Sequence, residues 1–371
     1  MGEPIVSQEK SILPNCNKES LYLMMMQKLS HIYKRYRTLQ TNTITALPVV
    51  ILMPHSACNC RCVMCDIWKG NHNLKQLTED DISGLMHALK KFGTQQVLMS
   101  GGEALLNSNF FRFCEILKKE NIKVSLLSTG LTLKQNAERL VNLVDDIIIS
   151  IDGDEITHNR IRNIPDAFKK LKDGIATIKV LKSDYKITGR TVIHQLNFRI
   201  WYEIINAAKE IGLQQISFLP ADVSSQAFNR EMPWDENRQN EILIPKEDLS
   251  SLKNVIDELL IYNKNDFNDQ FIAESPKKIL KIYDYYAAFY GLNDFPYKRC
   301  NAPWVSTVIE ADGKVRPCFF HEAYGNIRTD SLEQILNSEK AISFRKNLDI
   351  EENETCRKCV CSLYLAPGTQ L

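Results

Sequence analysis

Through the middle of the chain, short apolar runs alternate with amphipathic stretches. Residues 49–53, Val-Val-Ile-Leu-Met, are a β-branched run closed by Pro54 and predict a buried strand. The same texture returns at 96–100, 123–127, 146–151, 190–196 and 215–219. Between these runs, helical spacing of apolar residues marks 78–93, 110–120, 134–144, 167–181 and 202–211. The first of these opens on Thr78-Glu-Asp-Asp81, with acids in its initial turn, and closes at Gly93. Six strands alternating with helices predict parallel βα units with right-handed crossovers. A closed barrel takes eight such units, so the expected fold is α/β, an open partial (β/α)6 TIM-like barrel over residues 46–221.

The pattern changes on both sides. Residues 1–45 predict an N-terminal helical extension, with a helix at 19–39 packed across the main domain. Over 222–299 the βα rhythm stops, and two amphipathic helices, 246–262 and 277–291, are separated by an Asn/Asp-rich segment at 263–268. The second carries Tyr283, Tyr285, Tyr286, Phe289 and Tyr290, which either pack on the barrel or wall a substrate cavity. Residues 300–371 predict a small α+β cysteine-rich extension. It has short strands at 305–310 and 313–316 joined by an Ala311-Asp-Gly313 hairpin turn, then a helix at 331–348.

Composition narrows the function. With 371 residues and 44% hydrophobic content the chain can bury a substantial core. Lys+Arg of 46 against Asp+Glu of 45 gives no electrostatic footprint for nucleic acid or an anionic membrane, so the expected partner is a small molecule or a peptide. No apolar run approaches the roughly 18 residues of a membrane span, and the expected location is cytoplasmic. Met1-Gly2 begins like a myristoylation site, but Val6 stands where Ser or Thr is required. Eleven cysteines without a secretory signal point to metal rather than disulfides.

Those cysteines are clustered. Cys58, Cys62 and Cys65 stand at C-x₃-C-x₂-C directly after the first strand, a thiolate triplet able to wrap one soft metal centre and leave a coordination position open. Cys60 is out of phase, expected to point elsewhere and bind nothing, as are Cys16 and Cys114. Ligands in βα folds bind at the carboxyl ends of strands, and motifs follow there in turn: Ser100-Gly-Gly-Glu103, Ser128-Thr-Gly130, and Ser150-Ile-Asp-Gly153 with His158 and Arg162. The glycines allow close backbone approach, Glu103 can accept from an ammonium, and Arg162 can hold a carboxylate in two-pronged fashion. A zwitterionic amino acid fits such a site. Near the C-terminus, Cys300 and Cys318 flank the hairpin, and Cys356-x₂-Cys359 completes a four-thiolate set for zinc or an iron–sulfur cluster, with Cys361 able to replace Cys359.

The triplet, Gly101-Gly-Glu103, Ser128-Thr-Gly130 and Ser150-Ile-Asp-Gly153 with His158 and Arg162 resemble the radical S-adenosylmethionine (radical SAM) enzymes over about residues 49–220. The resemblance implies that Cys58, Cys62 and Cys65 bind a 4Fe-4S cluster whose fourth iron is chelated by S-adenosylmethionine. It places Met64 at the adenine through its backbone, Gly101, Gly102 and Glu103 at the methionine amino group, and Ser150 and Arg162 near the carboxylate or ribose. Ser128 and Asp152 of the same motifs join the cofactor-binding set. Ala104 departs from the Pro that many members have. Residues 310–318, Gly325-Asn-Ile327 and the Cys356/Cys359 pair resemble the SPASM/twitch extension, implying one auxiliary 4Fe-4S cluster on Cys300, Cys318, Cys356 and Cys359. The implied chemistry is cleavage of S-adenosylmethionine, after reduction by a flavodoxin- or ferredoxin-type donor, to a 5′-deoxyadenosyl radical that abstracts hydrogen from a C–H bond, with the auxiliary cluster taking back an electron.

Two substrate classes follow. The leading expectation is net oxidation of a small molecule (a sugar, aminocyclitol or amino acid derivative), because the 45 residues before the barrel look short for a leader-binding domain. The alternative is cross-linking, oxidation or epimerisation of a ribosomally made peptide. Non-enzyme readings are an iron–sulfur electron carrier or a zinc scaffold, but a carrier has no use for Gly101-Gly-Glu103 or Arg162. No substrate-level acid or base is singled out by spacing. His194, Asp222 and His321 lie near predicted site positions and are expected to be structural.

Overall fold

The structure is a computed structural model and describes residues 18–230 and 232–369; Cys16 lies outside the described residues. Six strands, β1 (Val49–Leu52), β2 (Gln96–Met99), β3 (Lys123–Ser128), β4 (Asp146–Ser150), β5 (Ile187–Ile193) and β6 (Gln215–Pro220), pair in parallel in sequence order. This is the expected partial barrel. On the other side of β1 the sheet continues through β7 (Ser306–Ile309), parallel to β1 with Val49 opposite Ser306, and then antiparallel through β8 (Lys314–Arg316) and β9 (Gly325–Asn326). The cysteine-rich extension is therefore part of the same nine-stranded sheet.

Strand alternation sorts the core into two. Val50, Leu52, Val97, Met99, Val124, Leu126, Ile147 and Ile149 face the helices. Val49, Ile51 and Val308 face the lumen, where Leu365 of the C-terminal tail packs on them with Leu98, Phe319 and Leu363 at the margin. Asn301 holds that tail, bonding Leu363 O from its backbone and both polar atoms of Leu365 from its side chain. The lumen floor is thus filled by residues far along the chain from the strands.

Local chemistry accounts for most element ends. Helix Glu79–Phe92 begins with a reciprocal Thr78/Asp81 capping box and ends on left-handed Gly93, φ 63°. The strand expected at 190–196 starts earlier, at Ile187, and includes Gly189; a Cβ there would meet Leu213 at 2.8 Å, so the glycine admits a neighbouring side chain against the sheet. The expected helix 331–348 is two helices, Leu332–Leu336 and Glu339–Asn347. Asn337 leaves the helical path to bond both backbone polar atoms of Ile44, and Ser338 caps the second helix. Helix Glu155–Arg162, capped by Asp154, was not expected: its sequence is short and mostly polar.

The N-terminal helix runs over Lys18–Thr41. It is fastened by Arg35, which donates to Gln95 Oε1 at 2.7 Å and to the carbonyls of Pro367 and Thr369. Between 221 and 299 the helices Leu249–Tyr262 and Pro276–Ala288 pack together beside β6, whose outer edge is covered by a parallel bridge from Ile216 to Ile272. Among the described residues no helix is long and apolar enough to cross a membrane.

Candidate active site

The loop after β1 is held on three sides. Cys58 exchanges backbone hydrogen bonds with the Asn71 side chain at 3.0 and 2.9 Å. Arg61 N and Val63 N donate to the carbonyls of Arg162 and Ile161, and Arg238 donates to Val63 O. Glu103 N donates to Ala57 O at 2.9 Å. At Gly102 a Cβ would stand 2.2 Å from Ala57 O and 3.0 Å from Cys58 N, so the glycine is required by the approach of this loop. Gly101, at φ +112°, sits in backbone space that favours glycine.

Within the loop Cys62 is buried and Cys58 and Cys65 are half-buried. Cys60 does not point away as expected. It is fully buried, and its thiol interacts with those of Cys58 and Cys62, while its backbone N donates to Cys58 Sγ at 3.5 Å. The rule that places alternate residues on opposite sides holds for an extended strand, and this segment turns. The Cys60 hydrogen bond, then Arg162, brings the Cys62 thiol down to about 7, against the opposing effect of burial, whereas burial pushes Cys65 up to about 12. Met64 is partly buried against the main core.

Arg162 departs from its expected part. Its Nη2 lies 2.5 Å from Asp152 Oδ2 and its Nη1 3.4 Å from Cys62 Sγ, so the carboxylate it holds is the protein's own. Asp152 is fully buried, and burial raises its pKa although Arg162 opposes the shift. Asp152 N donates to His158 Nδ1, and Asn197 Nδ2 donates to Asp152 O. Burial, then Arg162, takes His158 and His194 down to about 3, which keeps both rings neutral.

Glu103 is also engaged. Oε2 accepts from Thr129 N at 2.8 Å, Thr129 Oγ1 at 2.6 Å and Ser128 Oγ at 3.0 Å; Oε1 receives Leu105 N at 3.3 Å and Ser128 Oγ at 3.2 Å. Ser150 ends β4 beside Arg190 of β5. Buried polar atoms without a protein partner include Asn59 Nδ2, His158 Nε2, His194 Nε2 and Arg162 Nε. Three thiols on one braced loop, a glycine cradle and these free polar atoms fit a soft cluster with a polar organic ligand. Among the described residues no three Cys, His, Asp or Glu side chains already converge at metal distance.

The second set shows pairwise contacts. Cys318 is pushed to about 12 by burial, with Cys356 and Cys300 adding to it, and Cys356 to about 11 by burial with Cys300. His321 Nε2 stands 3.3 Å from Cys356 Sγ, and Cys359 Sγ donates to Cys361 O at 2.8 Å. Cys361 is exposed, and Cys300, Cys318, Cys356 and Cys359 are half-buried.

Sequence reasoning missed what lies between the two sets. Asp222 accepts from Arg230 Nη1 and Ser225 Oγ, each at 2.6 Å, in a buried ion pair. The Arg230 guanidinium stacks 3.8 Å over Trp234, whose Nε1 donates to Asp66 beside Cys65. Arg230 favours the Cys65 thiolate, whereas Asp222 disfavours that of Cys361. Phe228 and Asn229 are both left-handed, and Phe228 packs edge-on to Phe320. An irregular loop has no period, and only the proximity of Asp222 to a strand end hinted at it. Tyr285 and Tyr286 are buried and bond the barrel backbone at Ala221 and Ile193. The aromatic group is therefore packing.

The Radical SAM superfamily model matches residues 52–208, and SPASM, an iron-sulfur cluster-binding domain, matches 300–360. The chain is 26% identical over 294 residues to the antilisterial bacteriocin subtilosin biosynthesis protein AlbA of Bacillus subtilis, covering 76% of this chain and 57% of that protein, little more than half its length. It is 24% identical over 341 residues to the AdoMet-dependent heme synthase of Methanosarcina barkeri, covering 85% and 92%. Streptococcus suis SuiB bound to precursor peptide SuiA superposes with TM-score 0.62 at 14% identity, covering 97% of this chain and 80% of that one. The enzyme anSMEcpe with AdoMet and a peptide gives 0.58 at 20%, covering 85% and 88%. These structures share the fold.

Proposed function

The chain belongs to the radical S-adenosylmethionine superfamily and carries a SPASM domain, and on that premise we propose that it oxidises or cross-links a ribosomally made peptide. As a radical SAM enzyme it uses a 4Fe-4S cluster, S-adenosylmethionine and auxiliary iron–sulfur chemistry, which excludes the bare-carrier and zinc-scaffold readings. When bound, the cluster and S-adenosylmethionine supply a 5′-deoxyadenosyl radical able to take hydrogen from an unreactive C–H bond.

The chain's own residues do the rest. Cys58, Cys62 and Cys65 hold the first cluster, and Arg162, locked by Asp152, donates to the Cys62 sulfur. Glu103, through Ser128 and Thr129, fixes the Gly101-Gly102 turn against the cysteine loop, leaving that turn's backbone and Oε1 for the methionine amino group. Met64 and Ser150 line the adenine and ribose sides. His158 and His194, held neutral, offer hydrogen bonds without charge. Four of Cys300, Cys318, Cys356, Cys359 and Cys361 hold the auxiliary cluster, and five thiols suffice for one fully thiolate-ligated cluster. A flavodoxin- or ferredoxin-type protein supplies the electron.

The observation that carries this reading is the loop holding the Asp222–Arg230 pair, which reaches Asp66 beside Cys65 through Trp234 and Phe320, two residues past Cys318, through Phe228. For the peptide over the small molecule first expected, the support is the likeness to a bacteriocin biosynthesis protein. The heme synthase match, which spans most of both chains, favours a small-molecule substrate instead.

Anaerobically reconstituted enzyme, given dithionite, S-adenosylmethionine and any short peptide whose gene is found to adjoin its own, is expected to release 5′-deoxyadenosine and a peptide lighter by two hydrogens in the mass spectrum. Cys62→Ala is expected to abolish cleavage, and Cys356→Ala to keep slow cleavage without product. An unchanged peptide alongside an oxidised small molecule refutes the substrate class. Full product from Cys356→Ala refutes an essential auxiliary cluster.

A further inference from the structure

The Lys18–Thr41 helix carries an apolar seam that, among the described residues, covers nothing. Met26, Leu29, Tyr33 and Tyr36 are 47%, 51%, 64% and 55% exposed, with Ile32 beside them at 39%. Their spacing of three, four and three is the a–d rhythm of a coiled-coil seam. The opposite face is the docked one: His31 lies against Gly93, Arg35 is bound to Gln95 and the C-terminal carbonyls, and Thr38 Oγ1 accepts from Thr45 N and Ala46 N. The seam points away from the body because the body has taken the other side.

Charge selects the occupant. Residues 26–41 contain Lys28, Lys34, Arg35 and Arg37 and no acid, and the chain has no Asp or Glu from 20 to 65. Arg35 is spent on the body, while Arg37 is exposed one position past the seam. A narrow two-in-seven stripe suits a helix, whereas a membrane surface wants a broad apolar face with many free cations. A second copy would set these cations against their own kind.

We propose that this seam binds a helical peptide segment with apolar a and d positions and acidic flanks, and, resting on the peptide reading above, that this segment is the recognition part of the substrate. The helix is fastened at Gln95, before the amino end of β2, at the opposite end of the sheet from the cysteine loop. A recognition segment here leaves the reacting residue free to reach the lumen through roughly ten extended residues, at about 3.3 Å each.

The test uses the reconstituted full chain and a synthetic 21-residue peptide with Leu at a and d and Glu at e and g, followed by fluorescence anisotropy. Its Lys-for-Glu counterpart and phosphatidylglycerol vesicles serve as the other probes. The Glu peptide is expected to bind at least tenfold more tightly than the Lys peptide. The double variant Leu29→Ser/Tyr33→Ser, which keeps every cation, is expected to weaken binding at least tenfold while melting temperature and 5′-deoxyadenosine release stay unchanged. Equal binding by the variant, vesicle capture through the same two residues, or a dimer that the variant dissociates would each overturn the proposal. Binding is read without turnover, so an enzyme that leaves every peptide unmodified refutes the function above and not the seam.

Discussion

Replacing Arg162 by Met tests whether the site is organised around a buried ion pair. Asp152 and Arg162 are both buried and 2.5 Å apart. At an effective dielectric near 20 their attraction is about 7 kcal/mol, which is offset by desolvation of several kcal/mol for each ion, so the intact pair nets little. Removing only the cation leaves the Asp152 carboxylate buried and uncompensated, at about 3–5 kcal/mol, or a fall in melting temperature of about 4–6 °C for a chain of this size. Asp152→Asn/Arg162→Met removes both charges and is expected to recover most of that loss. The pH dependence has a definite sign. Burial already raises the Asp152 pKa against the pull of Arg162, and without Arg162 it rises further. A group whose folded pKa is raised gives its full stability below the unfolded value and loses it as pH climbs through the folded one. The deficit of Arg162→Met should therefore be small near the ordinary carboxylate range and grow toward neutral pH. Thermal melts of the apo chain between about pH 4.5 and 8 give the answer. Equal melting of the single and double variants at neutral pH, or a deficit that shrinks as pH rises, would refute the reasoning.

Two further outcomes are expected. Gly102→Ala places a Cβ 2.2 Å from Ala57 O, where only backbone can yield. The cost is about 1–3 kcal/mol, and the displaced cysteine loop should lower bound iron from about eight toward about four per chain; full iron content would show that the loop tolerates the methyl. Tyr286→Phe strips partners from Ile193 O and Ala221 N, both buried contacts at the ends of β5 and β6. It should destabilise by about 1–3 kcal/mol in a denaturant titration, and a change below about 0.5 kcal/mol would mean that water replaces the hydroxyl.

Period carried the sequence reading as far as period exists. The β-branched run at 49–53 and the short apolar stretch at 215–219 became β1 and β6 within a residue, and Thr78 and Gly93 bounded their helix as their capping chemistry requires. What failed was non-periodic or distant. Nothing near Ser306 says that it lies opposite Val49, because parallel pairing is decided by lumen packing over some 250 residues. Asn337 looks helical until Ile44, equally distant, offers two backbone partners. In the site, the motif residues were legible by type and spacing, but not their partners. Arg162 was read as a ligand clamp because Asp152 was not known to be buried against it, and Cys60 was misplaced by applying strand geometry to a turn.

The continuity of the sheet bears on how the two thiol sets work together. Because β7 pairs with β1 in register, the cysteine loop that leaves β1 and the hairpin that Cys300 and Cys318 flank are carried on neighbouring strands. Their relative position is set by ladder hydrogen bonds and by lumen residues Val49, Ile51, Val308 and Leu365 rather than by a hinge near residue 300. The Asp222–Arg230 loop adds a second tie, through Trp234 to Asp66 on one side and Phe228 to Phe320 on the other. A substrate between the sets therefore meets walls of fixed spacing. The fold fixes that spacing because the segment holding the second set completes the sheet that holds the first.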